Sequence, residues 1–154
     1  MATELTYAIE PFGAAQPELA RLCVRHWEEI ALNKGAIALD PDWERYALLD
    51  SAGAIVLATA RAQREMVGYH LFLVSPHLHY RRSLTALSDV VYLAPEHRLG
   101  MAGIRLMRCA EAELRRRGVQ RVVQNVKLHT DWGRVLERMG YAPIERIYSK
   151  LLEN

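Results

Sequence analysis

The fifteen residues Asp89-Val90-Val91-Tyr92-Leu93-Ala94-Pro95-Glu96-His97-Arg98-Leu99-Gly100-Met101-Ala102-Gly103 constrain this chain more than any others. A β-branched run from Asp89 to Leu93 delivers the backbone into a short loop with two glycines, and a helical pattern begins at once. From Ala102 to Arg117 the positions Gly103, Leu106, Met107, Ala110 and Leu114 recur at helical spacing, while Arg105, Arg108, Ala112 and Arg115 take the opposite face. Gly118 is the stop signal. A helix that starts directly after a strand leaves its first amides without partners of its own, and its dipole adds positive potential there. Such a start suits a pyrophosphate, because glycine lets the backbone come close and Arg98 can add a charge-assisted contact. The plainer alternative is a strand–helix turn with a glycine hinge.

The remaining pattern predicts one domain over residues 1–154, without repeats or linkers. Thr6 to Glu10 reads as a strand closed by Pro11. Pro17 opens a helix whose stripe is Leu19, Leu22, Cys23, His26, Trp27 and Ile30, ended by Asn33 and Gly35. Asp40-Pro41 supplies a cap and a first-turn proline for a helix to about Asp50. Ala54 to Arg61 and Met66 to Ser75 read as a hairpin, followed by a polar loop from Pro76 to Ala86 that holds His77, His79, Tyr80, Arg81 and Arg82. After the glycine-bearing helix come a strand from Gln120 to Leu128 and a short helix capped by Thr130 or Asp131 and stopped by Gly140. A last strand runs from Ala142 to Leu151. Helices and strands alternate only in the second half, which predicts a mixed sheet in an α/β (mixed α+β) fold.

Bulk properties exclude several classes. At 154 residues and 51% apolar content the chain can bury a core without disulfides or metal. A formal charge of +2 with well-mixed signs argues against a nucleic-acid partner, and the run Arg115-Arg116-Arg117 complements a helix C-terminus. Cys23 and Cys109 stand on separate helices without C-x-x-C spacing, as expected of small buried thiols in a reducing compartment. Met1 to Glu4 lacks a basic segment followed by an apolar run, and no stretch reaches the roughly 20 apolar residues of a membrane span. The expectation is a soluble, cytoplasmic protein without a membrane partner.

With this order of elements, the Asp89–Gly103 segment resembles the GNAT acetyltransferase superfamily, whose signature there is [Q/R]-x-x-G-x-[G/A]. Starting at Arg98 puts Met101 in the middle glycine's place while Gly103 fits the end. Starting at His97 places Gly100 and Ala102 correctly but puts histidine first. As it stands, Arg98-x-Gly100-x-x-Gly103 resembles a variant found in phage- and prophage-encoded members. His26-Trp27-Glu28-Glu29, Leu39-Asp40-Pro41-Asp42-Trp43, Gly68-Tyr69, His79-Tyr80-Arg81, Leu136-Glu137-Arg138-Met139-Gly140-Tyr141 and Tyr148-Ser149-Lys150 are similar to that subgroup as well.

The resemblance implies a mixed, mostly antiparallel sheet flanked by helices, with splayed parallel strands forming an acetyl-CoA cleft. A bulge in the strand before the loop would part it from the Gln120–Leu128 strand. Pantetheine would lie in the gap like an added strand on Val91, Tyr92 and Leu93, and the pyrophosphate on Arg98, Leu99, Gly100, Met101, Ala102 and Gly103. A backbone N–H would stabilise the oxyanion. An amine acceptor, either a small molecule or a peptide, would attack directly. Asp89 starts the strand beside the thioester and is a candidate base or acceptor-binding group; otherwise it caps a turn. Glu29 lies at the edge of the first helix's stripe and either reaches the cleft or is solvated. His79 and Tyr80 stand in the long loop where an acceptor can dock. His129 replaces an asparagine near the cofactor, where it touches CoA or caps a helix. The family's usual tyrosine is replaced by Leu136, which leaves Tyr141 and Tyr148 as substitutes and the general acid unassigned. Dimers are common in the family.

Three rivals remain to be weighed. A Rossmann protein needs G-x-G-x-x-G after the first strand, and here the glycines come late. A metal hydrolase needs a third ligand beside His77 and His79, and none stands at metal spacing, so no metal site is expected. The remaining rival is a non-catalytic acyl-CoA-binding or phage-associated interaction protein on the same fold.

Overall fold

The computed structural model describes residues 4–152, so the reading of Met1 to Thr3 falls outside the described residues. Four strands pair antiparallel in chain order: β1 (Leu5–Ile9), β2 (Ile55–Ala62), β3 (Glu65–His77) and β4 (Tyr80–Leu93). The fifth, β5 (Arg121–Val123), joins β4 in parallel. A parallel join needs a crossover, and helix α3 (Ala102–Arg116) provides it. Helices α1 (Phe12–Ile30) and α2 (Trp43–Ser51) lie between β1 and β2 in the chain, and a short α4 (Gly133–Arg138) follows β5. The mixed, mostly antiparallel sheet flanked by helices is the one expected.

The core is split by the sheet. On one face Phe12, Leu19 and Leu22 of α1 pack on Leu57, Tyr69, Leu71 and Tyr92, with Trp43, Tyr46 and Leu49 of α2 half-buried beside them. On the other, Leu106, Ala110 and Leu114 of α3 cover Val56, Ala58, Phe72, Val74, Ala86 and Leu93. Strands β2 and β3 are covered on both faces and therefore read as nearly continuous apolar runs.

Several boundaries differ from those read in the sequence. Helix α1 starts at Phe12, because Phe12 and Ala15 are buried; Pro17 sits inside the helix, where it removes one backbone donor. The cap of α2 is Asp42, whose Oδ1 accepts from the Arg45 amide at 2.9 Å, so this helix begins two residues after Pro41. The polar loop from Pro76 to Ala86 is not a loop. Residues up to His77 belong to β3, only Leu78 and His79 turn the chain, and β4 begins at Tyr80. Ser75, Pro76, Tyr80, Arg81 and Arg82 are exposed there, so the pattern looks loop-like while the backbone pairs. Strand β5 is three residues long, against nine expected. Residues 142–152 form no strand, and Ile144, Ile147, Tyr148 and Leu152 stand exposed. Gly103 faces open space and not the buried stripe of α3.

Candidate active site

In the β3–β4 register, Leu71 faces Val90 and Phe72 faces Ser88, so Asp89 is an extra residue bulged out of β4. The bulge coincides with the end of parallel pairing. β4 pairs with β5 only at Thr85–Leu87, Asn125 Nδ2 still donates to Ser88 O at 3.2 Å, and beyond Ser88 no strand pairing continues among the described residues. Beyond it, the Ala94 amide donates to Val67 O at 2.8 Å. Period-two alternation from that bond turns the amides of Tyr92 and Val90 toward β3, and those of Leu93 and Val91 toward the gap. The expected splay is present, and it exposes a strip of strand edge.

The gap leads to the start of α3. A 3₁₀ turn at Pro95–His97 uses the amides of His97 and Arg98, and the Ala102 amide donates to Leu99 O. Among the described residues, no backbone or side-chain acceptor takes the amides of Leu99, Gly100, Met101, Gly103 or Ile104. Gly100 has φ +56, which disfavours any side chain. A Cβ at Gly100 or Gly103 would meet nothing within 4 Å. Packing therefore does not require Gly103, and the free amides line an open cradle fit for an anion.

Arg98 does not point into that cradle. Its Nε donates to Leu93 O at 2.6 Å, and Nη1 and Nη2 grip the two Glu29 oxygens at 2.6 and 2.8 Å. The guanidinium also lies 5.4 Å from the Tyr92 ring centre. Arg98 thus forms a tether between the loop and α1, and Glu29 is its other half. The Arg98 bonds hold its carboxylate below the usual range, a poor state for a base. His79 and Tyr80 sit at the hairpin turn, roughly 30 Å of extended chain from Asp89. A groove of about 540 Å³ opens beside them, lined by Leu73, His77, His79, Leu87, Val123 and Ile144, and it runs from the hairpin turn to Leu87 and Val123, the last pair before the gap. His129 shares a 3.2 Å bond with Ile30 O and caps the end of α1.

Asp89 keeps a place at the gap. Tyr46 of α2 donates to its Oδ2 at 2.5 Å. Burial first, then this bond, raises the Tyr46 hydroxyl above the ordinary phenol range. Cys23 of α1 stands close by, its thiol raised by burial and then by Asp89. Beneath them Tyr69 and His26 share a 2.7 Å bond, and burial pushes His26 down to about 4. Sequence reasoning passed over Tyr46, for which the only signal was its place on the inward face of α2.

The opposite face of the bulge holds a second polar group. His70 is fully buried and shares a 3.1 Å bond with Ser88 Oγ, and burial lowers it to about 3. Its Nδ1 and the nearby Gln124 Oε1 are buried without partners. Tyr141 donates to Glu111 Oε1 at 2.5 Å and accepts from Gln124 Nε2 at 3.5 Å, so its hydroxyl is engaged on the α3 side of the sheet. Leu136 is buried, and Tyr148 is 85% exposed.

No family model matches the chain, and no curated protein matches it. Solved structures do. One is an aminoglycoside acetyltransferase from an uncultured soil metagenomic sample, in complex with sisomicin. It has a TM-score of 0.71 at 14% identity, over 96% of this chain and 97% of that one. A ribosomal-protein-alanine N-acetyltransferase from Brucella melitensis biovar Abortus 2308 gives 0.70 at 20% identity, over 97% and 100%. A transcriptional regulator from Bacillus halodurans C-125 gives 0.75 at 17% identity, over the same shares. The fold is that of the GNAT acetyltransferases.

Proposed function

We propose that this protein is an N-acetyltransferase that moves an acetyl group from acetyl-CoA to a primary amine by direct attack in a ternary complex. One observation carries the reading: the strand edge bared beyond the Asp89 bulge runs straight into a helix start whose amides are free. Acetyl-CoA would supply a thioester whose carbonyl carbon accepts the nucleophile. The amides of Leu99, Gly100, Met101, Gly103 and Ile104 would hold the diphosphate, and Gly100 and Gly103 leave it room. The Val91 and Leu93 amides bond the extended arm, and one of them polarises the carbonyl. Asp89, on the α2 side, takes the proton from the amine. Arg98 and Glu29 keep the loop fixed on α1.

The likeness of the motifs quoted above to phage- and prophage-encoded members supports a place in that subgroup. Two free cysteines support a reducing, cytoplasmic setting, and the exposed apolar residues 144–152 support a homodimer. A second reading, a non-catalytic acyl-CoA binder, is favoured by one observation: Leu136 puts no hydroxyl where the fold usually carries one.

Calorimetry with acetyl-CoA, and thiol release with sisomicin and an alanine-initiated peptide, test both. Binding with turnover is the expected result; binding without turnover favours the carrier, and no binding removes both. Gly100→Asp or Gly103→Asp should weaken binding at least tenfold, about 1.4 kcal/mol, with the fold intact. Unchanged affinity would leave the loop a mere hinge. Asp89→Asn should lower kcat by about 10²-fold or more with little change in acetyl-CoA affinity. An equal effect on both would clear Asp89 of the base role.

A further inference from the structure

Acetyl transfer carries one proton from the attacking nitrogen to the departing sulfur. Asp89 can take the first proton, but Leu136 has no hydroxyl to deliver the second, and the Tyr141 hydroxyl is paired with Glu111 of α3 and not with Asp89. A hydroxyl already stands on Asp89. We propose that Tyr46 and Asp89 form a single proton relay, with Asp89 as base toward the amine and Tyr46 as acid toward the sulfur. The proposal rests on the acetyltransferase reading.

Three features of the site support it. Tyr46 Oη and Asp89 Oδ2 are 2.5 Å apart, so a proton can pass directly between them. Asp89 is the bulged residue, two positions before the Val91 amide that faces the gap, and amine and sulfur share one carbonyl carbon during transfer. An acid and a base that serve them must therefore be near neighbours. Finally, the Tyr46 ring is held: it stacks on Phe12 at 5.3 Å and 19°, with Trp43 at 5.9 Å. The titratable groups packed around the pair are Cys23 of α1, and Tyr69 of β3 backed by His26. Burial keeps the thiol and both phenols protonated and His26 neutral at neutral pH.

The step balances. The N–C bond forms as the C–S bond breaks. The amine proton goes to Asp89, the Tyr46 proton goes to the thiolate, and Asp89 then returns its proton to the phenolate. No proton need be exchanged with solvent, and no further reactant is required.

The test uses Tyr46→Phe, which keeps the ring stacked on Phe12. Thiol release is followed with acetyl-CoA and with acetyl-seleno-CoA, whose selenolate leaves unprotonated. Sisomicin, the alanine-initiated peptide and water serve as acceptors. Loss of the acid should cost about 10²-fold or more in kcat with acetyl-CoA, at unchanged affinity by calorimetry, and only a few-fold with the selenium donor. Asp89→Asn should lose activity with both. A crystal structure with CoA should place Tyr46 Oη within about 3.5 Å of the sulfur. Equal losses with both donors, or no loss, would overturn the relay while leaving acetyl transfer standing. Binding without any thiol release would overturn it in favour of the carrier reading. Absence of acetyl-CoA binding would remove the underlying function as well.

Discussion

Ser88 and Asp89 are neighbours in β4, and the ordinary alternation of a strand sends them to opposite faces and into opposite environments. Ser88 is 3% exposed, bonded to a fully buried His70, and close to two polar atoms without partners. Asp89 is exposed and bonded to a tyrosine that solvent can still approach. Desolvation fixes His70 as neutral, so it cannot shuttle protons near neutral pH. Asp89 accepts from Tyr46 through Oδ2 and stands open to solvent. Burial makes the Ser88 side a matter of stability, and exposure makes the Asp89 side a matter of chemistry.

The largest effect that would sharpen this contrast is on acid stability. Unfolded histidine takes up a proton near pH 6.5, whereas folded His26 and His70 refuse it until about 4 and about 3. Between those values the unfolded state binds more protons, so stability falls as pH drops below 6.5. His70→Leu should remove roughly 3 kcal/mol of the loss between pH 6.5 and 4 in denaturant melts. An unchanged pH slope would break the comparison. Next in size is Gly68→Ala, whose Cβ would come 2.9 Å from Tyr92 O and 2.7 Å from Leu93 Cδ1. That should cost about 1–3 kcal/mol by thermal melt, because β4 itself must shift. Arg98→Ala should cost about 1 kcal/mol or less, its pair with Glu29 being part-exposed, and should loosen the loop, read as faster amide exchange at Leu99–Gly103. Asp89→Asn should change stability least, within about 0.5 kcal/mol, despite its large effect on turnover. A large loss of stability would make Asp89 a structural residue.

Much of the fold was legible because burial writes a period into the chain. The stripe of α3 from Leu106 to Leu114 and the apolar runs of β2 and β3 follow local rules, whereas the α2 cap was expected at Asp40 and falls at Asp42. The last two residues of β3 and the outer half of β4 were hidden because these residues are exposed or half-buried, and the pairing of His77 with Tyr80 and Pro76 with Leu84 leaves no apolar period in the sequence. In the site, the glycine loop and Asp89 could be picked out by position. The Arg98 ion pair was not legible, because its partner Glu29 lies 69 residues away. Tyr46 was invisible for the same reason, 43 residues from Asp89.

The sequence by itself determined that strand β4 must end in a glycine loop at the start of α3, since φ +56 at Gly100 and helical spacing after it are local demands. Only the tertiary structure decided that a one-residue bulge at Asp89 ends the β4–β5 pairing, and which long-range partner each charged or hydroxyl group takes. Register and ion pairing depend on elements far apart in the chain, and a local pattern carries no record of which of them meet in space.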